Sequence, residues 1–248
     1  GLDETSLKTI RGQQVGLIFQ DPMSRLNPIM TIGDHLVDTL LAHRSFESIH
    51  ILKRRAKELL EKVGISPSRF NSFPHEMSGG MQQRVAIALA IALNPPLIIA
   101  DEPTTAMEPS TRLQIHRLIA RLAVSQQMSV VLISQDVASI LPETKRLTML
   151  YCGQLMETGP ANEVLSEPAH PYTDSMIRMS LQTQQQLPHK ARLPTLPGTI
   201  PTLRHMPIGC RLGPRCPYAQ KTCVKAPVAT HERQRVFHCH FPLLDTTP

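Results

Sequence analysis

Two stretches, Ile32 to about Leu41 and Ile51 to Val63, place apolar side chains three and four residues apart, which predicts two amphipathic helices. Gly64 is the expected terminator of the second. Short apolar runs with no such spacing predict buried strands at Val15 to Phe19, Leu97 to Ala100 and Val130 to Ile133. Each ends in polar residues: Gln20-Asp21, Asp101-Glu102 and Ser134-Gln135-Asp136. Val85 to Leu93 is apolar on nearly every side and predicts a mostly buried helix, stopped by Asn94-Pro95-Pro96. Ser110 is the expected cap of a helix through Leu122, with Leu113, Ile115, Leu118, Ile119 and Leu122 turned inward. Leu147 to Tyr151 and Gln154 to Glu157 flank Cys152-Gly153 and predict a hairpin, while Lys8 to Gln14 is polar and predicts no element. Strands alternating with helices imply a layered α/β sheet.

The chain has 248 residues, of which 41% are hydrophobic, enough for one large domain and an appendage. No Trp is present, so Leu, Ile, Val, Ala and Met must fill the core. The net charge of +6 is spread among 20 acidic residues, which favours a solvated surface over nucleic-acid binding. The longest apolar run, Val85 to Leu93, falls far short of the ~20 residues that span a bilayer. No export signal is evident, and a start at Gly1 suggests a fragment or trimmed product. Beyond Ser180 a polar tract, Gln182 to Gln186, and frequent Pro mark a linker to a separate tail. The expected division is therefore 1–180 and 181–248.

Chemistry concentrates at two places. In Met77-Ser78-Gly79-Gly80-Met81-Gln82-Gln83-Arg84 a Ser-Gly-Gly turn opens a helix, where unpaired N–H groups and close backbone approach suit phosphate. Asp101 and Glu102 follow a buried strand, suited to handling metal and water. The tail adds Cys210, Cys216, Cys223 and Cys239 in a segment poor in core residues. Without an oxidising compartment, four such thiols are better explained by metal than by disulfides, with zinc and iron–sulfur both compatible.

Taken in order, Gln20, Ser78 to Arg84, Leu97 to Thr104 and Ser134-Gln135-Asp136 resemble the Q-loop, signature, Walker B and switch landmarks of an ABC-transporter ATPase. Phe19-Gln20-Asp21-Pro22, Leu26-Asn27-Pro28, His170-Pro171-Tyr172-Thr173 and the tail cysteines resemble the oligopeptide and dipeptide branch of ABC importers. Met149 to Gln154, Met107-Glu108-Pro109 and Ile208 to Pro217 are similar to Sap-type peptide-uptake ATPases.

The resemblance implies an ABC-type P-loop NTPase fold with a RecA-like core and a helical subdomain at about 30–95. It implies that two such subunits sandwich ATP. Ser78, Gly79, Gly80 and Met81 would face the γ-phosphate held by the partner. Asp101 would hold Mg²⁺ through water, Glu102 would orient or deprotonate the attacking water, and Gln20 would approach the metal and that water. The further implied partners are a second, different ATPase subunit, two transmembrane permease subunits and, indirectly, a periplasmic substrate-binding protein. The implied location is peripheral, on the cytoplasmic face of a bacterial inner membrane. For the tail the resemblance favours a [4Fe-4S] cluster on Cys210, Cys216, Cys223 and Cys239, with Zn²⁺ as the competitor.

Three departures stand out. Gln135 occupies the switch position where the family usually has His, and a neutral amide cannot become cationic near developing charge. Glu108 stands where Asp is usual. No G-x-x-x-x-G-K-[ST] occurs in the 248 residues, so ~80 or more residues of the usual N-terminal part are expected to be missing, leaving strand edges and apolar surface uncovered. A non-catalytic scaffold or regulator is the alternative function. A soluble ABC protein of translation or DNA repair is disfavoured, because the tail would be unexplained.

Overall fold

The computed structural model describes residues 1–22, 25–43, 46–105, 107–137, 144–184 and 195–244. They form two compact units, Gly1–Gln135 and Asp136–Pro248. The linker expected from Gln182 onward falls largely outside the described residues.

The first unit contains α1 (Glu4–Ile10), β1 (Val15–Ile18), α2 (Ile32–Leu41), α3 (Ile49–Lys62), α4 (Gly79–Ala90), β2 (Leu97–Asp101), α5 (Pro109–Ser125) and β3 (Ser129–Ile133). Its sheet is parallel in the order β1-β2-β3, with Ile18 opposite Ala100 and Ala100 opposite Leu132. Ile18, Leu36, Leu60, Ile87, Ile98 and Ile115 are buried in one continuous core. Thr31 and Asp34 exchange hydrogen bonds in a capping box that starts α2. The α3 helix ends at Gly64, whose φ of +75° closes the turn at no steric cost. The Arg84 guanidinium then donates to the Val63 carbonyl at 2.8 Å, satisfying an acceptor the helix end leaves open.

Gly16 fixes how the signature helix meets the sheet. A side chain there would lie 2.4 Å from the Ala90 carbonyl oxygen, so only Gly lets β1 rest on the end of α4. The other sheet face is open among the described residues, with Leu17, Val131 and Ile133 exposed.

Several local expectations need correction. A helix, α1, forms where the polar stretch from Lys8 predicted nothing, but it buries no residue and so left no apolar stripe to read. The α5 helix is capped at Glu108 with Pro109 in its first turn, not at Ser110. The preset φ of Pro and its missing N–H suit that first position. Leu113 faces solvent, while Ile115, Leu118, Ile119 and Leu122 are buried as expected.

In the second unit β4 (Arg146–Tyr151) and β5 (Gln154–Pro160) form the predicted hairpin through Cys152-Gly153, both at positive φ. They are followed by α6 (Ala161–Ser166), α7 (Pro171–Gln184), β6 (Thr230–Glu232) and β7 (Arg235–Phe237). The antiparallel order is β4-β5-β7-β6. Glu157 of β5 pairs with Phe237 of β7, so the hairpin and the cysteine-bearing segment share one sheet. Strand pairing across long sequence separation thus places the hairpin and the tail in the same compact unit.

Candidate functional site

Parallel register delivers the first set of polar residues to one place. Since Ile18, Ala100 and Leu132 stand side by side, Gln20, Glu102 and Ser134 leave the sheet two residues later at the same carboxyl edge. That edge is where open α/β sheets bind ligands. Asp101 and Gln20 are exposed there.

Glu102 has a left-handed backbone, with φ of +43°, a strained conformation for a residue with a side chain. Its N–H donates to the Ile133 carbonyl at 2.9 Å, tying the turn to β3. Its Oε2 accepts from the Thr105 hydroxyl at 2.7 Å and from the Gln135 amide at 3.1 Å. Gln135, singled out from sequence as a replacement at the switch position, thus donates to the Glu102 carboxylate, a contact the sequence did not predict. The sequence did not single out Thr105 or the buried pair next to it, in which Thr104 Oγ1 lies 3.2 Å from His116 Nε2 of α5. An apolar stripe interrupted by His116 was the only available signal.

The Ser-Gly-Gly turn forms as predicted but starts its helix earlier than the apolar run suggested. Ser78 is the N-cap of α4 and accepts from the Met81 N–H at 3.4 Å. Gly79 is exposed, and nothing lies within 4 Å of where its Cβ would be. A Cβ on Gly80 would meet the Thr111 methyl at 2.9 Å. The first glycine thus keeps space open in front of the helix N-terminus, and the second permits packing against α5. Gln82, which is buried, donates to the Pro74 carbonyl at 2.8 Å and the Met77 carbonyl at 3.3 Å, fixing the approach to the turn. Among the described residues no hydrogen bond joins this turn to the Asp101-Glu102 edge.

In the second unit Cys210, Cys216, Cys223 and Cys239 line one small cavity with His170, Tyr218 and His240. The Cys210 N–H donates to the Cys223 carbonyl at 3.0 Å, holding two of them together. Burial, reinforced by the neighbouring thiols, pushes Cys239 up to about 11 and raises Cys216 above its ordinary value. Among the described residues no group of three or more His, Cys, Asp or Glu side chains is placed to hold a metal ion. The cavity nevertheless collects the four cysteines singled out from the sequence. Cys152 lies outside that cavity, half-buried in its hairpin.

Beside the cavity, Glu157 is fully buried and accepts from the Ala169 and His170 N–H groups, each at 3.0 Å, and from Arg235 at 2.5 Å. His170 Nδ1 accepts from the Tyr172 N–H at 3.0 Å. Burial pushes the His170 imidazole down from 6.5 to about 4, against the opposing pull of Glu157. The folded chain holds this imidazole neutral, whereas the unfolded chain takes up a proton below about 6.5. Stability from this group is thus complete above about pH 6.5 and declines as pH falls toward 4, by on the order of 3 kcal/mol. Urea unfolding at pH 7 and pH 5 is expected to show a smaller pH dependence for His170→Gln than for the wild type. Equal dependence would place the titration elsewhere.

A Ser-Gly-Gly helix entry, paired carboxylates at a parallel-sheet edge and a switch-position amide on the second carboxylate define a nucleotide-handling α/β cassette. Comparison with known proteins agrees. Residues 2–105 match the family model described as ABC transporter, and residues 156–223 match that of the oligopeptide/dipeptide transporter C-terminal region. The peptide transport system ATP-binding protein SapD of Escherichia coli O157:H7 is 44% identical over 238 residues, 94% of this chain and 72% of that protein. SapD of Salmonella typhimurium is 43% identical, with 98% of this chain and 75% of that protein covered. A solved dimer of the ATP-binding cassette MJ0796 bound to ADP and Pi is 31% identical, with a TM-score of 0.56 over 64% of this chain and 68% of that one. The chain belongs to the ABC-transporter ATP-binding family, in the branch that carries the oligopeptide/dipeptide C-terminal region.

Proposed function

We propose that this chain is the ATP-binding subunit of a bacterial peptide importer, coupling ATP hydrolysis to transport from the cytoplasmic face of the inner membrane. The observation that carries the reading is the convergence of Thr105 and Gln135 on Glu102 at the same sheet edge as Asp101 and Gln20. ATP chemistry requires metal at the phosphates and a positioned water. Asp101 would hold Mg²⁺ through water, Glu102 would orient the nucleophile and accept its proton, and Gln20 would approach both. Ser78, Gly79, Gly80 and Met81 would close over the γ-phosphate of ATP held by a partner ATPase; the open space at Gly79 suits that role. Residues 1–180 would serve as the ATPase portion and 181–248 as the extension.

The proposed assembly pairs this chain with a different ATPase subunit and two transmembrane permeases, fed by a periplasmic binding protein. Among the described residues no helix is long and apolar enough to cross a membrane, which suits a peripheral subunit. No observation favours the scaffold alternative. Cells lacking this subunit are expected to lose uptake of a labelled tetrapeptide and regain it on complementation. Undiminished uptake would overturn the peptide assignment.

We also propose a thiolate-held centre in the tail, with [4Fe-4S] favoured over Zn²⁺. The shared cavity supplies four soft donors, and a cation would lower thiol pKa values that burial raises. Anaerobically prepared protein is expected to absorb in the visible charge-transfer region and to lose that absorption on Cys216→Ser. A colourless, zinc-containing product would reject the cluster.

A further inference from the structure

We propose that Thr105 is a positioning residue for hydrolysis, acting with Gln135 as a two-donor clamp on one oxygen of Glu102. This rests on the reading of Glu102 as the residue that handles the attacking water. A carboxylate that orients water must present one oxygen in a fixed direction, and a free glutamate side chain rotates. Here both donors converge on Oε2, the Thr105 hydroxyl at 2.7 Å and the Gln135 amide at 3.1 Å. They come from opposite sides of the turn, one three residues after Glu102 and the other just beyond β3.

The backbone beneath is pinned as well. The Glu102 N–H reaches the Ile133 carbonyl at 2.9 Å, and the Thr105 N–H donates to the Glu102 carbonyl at 3.3 Å. Oε1 accepts no hydrogen bond from the described residues, so it is the oxygen left to face water. Saturating Oε2 while leaving Oε1 open converts a symmetric carboxylate into a directed acceptor. Neither donor can be charged at neutral pH, so the clamp orients the base without neutralising it. Exposed hydrogen bonds contribute little to stability individually, but misdirecting a reacting group is costly in rate.

The test uses the assembled transporter with the partner subunit's own catalytic glutamate disabled, so that only this chain's site turns over. Single-turnover hydrolysis and Mg-ATP affinity are both measured. Thr105→Val is expected to slow hydrolysis ~10-fold with Mg-ATP affinity unchanged, and Thr105→Ser to restore the rate to within about twofold. Thr105 is exposed, so loss of the fold is not expected; should Val impair assembly, Thr105→Ala removes the hydroxyl without adding bulk. An unchanged rate in the variant lacking the hydroxyl, or an equal loss in Thr105→Ser, overturns the clamp. Glu102→Gln separates the two readings: abolition of hydrolysis there with no effect at Thr105 sinks the clamp alone. Persistence of hydrolysis in Glu102→Gln sinks the role of Glu102 itself and the clamp with it.

Discussion

Ser78→Arg is expected to reduce ATP hydrolysis by the assembled transporter by about 10²-fold or more, the scale of losing a preorganised contact to developing charge. Ser78 caps α4 and stands exposed beside the open space at Gly79. An arginine would occupy that space and remove the hydroxyl that accepts from Met81. It would also set a cation against the positive end of the helix dipole. The fold should survive, because losing one N-cap costs only about 1 kcal/mol. In the proposed heterodimer this turn completes the partner's ATP site, and we propose that this chain's own site, with Gln135 in place of the usual switch His, turns over slowly, so loss of the turn stops the site that carries turnover. Gln135→Ala acts on the other site and should change steady-state hydrolysis less than about twofold. Steady-state ATPase of both variants in vesicles is the measurement. Equal losses would refute the proposed asymmetry between the sites.

The second large effect is on stability. Glu157→Ala is expected to destabilise the second unit by about 3–5 kcal/mol, because it leaves Arg235 buried without its counter-charge. The Arg235 side chain is only 6% exposed, and Glu157 is completely buried. Arg235 would keep the Glu167 carbonyl at 2.6 Å, but the Ala169 and His170 N–H groups would lose their acceptor. Those groups fix the start of α7 and the His170 ring at the cysteine cavity. Chemical denaturation monitored by circular dichroism checks the energy. A loss below about 1 kcal/mol would mean that water reaches the pair. If Glu157→Met with Arg235→Leu proves as stable as the wild type, the pair serves positioning more than net stability.

Much of this molecule is legible in its sequence. The α2 helix spans the segment its spacing predicted, Gly64 follows α3, and the hairpin turns at Cys152-Gly153. These features depend on local periodicity and backbone preference, which a short window contains. Ser78, Gly79, Gly80, Asp101 and Glu102 are legible for the same reason: each motif is contiguous. The α1 helix escaped because it buries nothing, and the start of α5 was misplaced because Ser110 is a good cap two residues too late.

Other features depend on neighbours distant in the chain. The sequence by itself determined the first five strands, the signature turn, the carboxylate pair and the collection of four cysteines in the tail. Only the tertiary structure decided that Gln135 and Thr105 share one oxygen of Glu102, since parallel register brings β3 beside β2 across an intervening helix. It likewise decided that β5 pairs with β7, so that Glu157 meets Arg235 across 78 positions and the hairpin joins the tail. Periodicity reports which face of an element is apolar; it carries no information on which other element covers that face. That choice is made by register and packing between segments far apart in sequence.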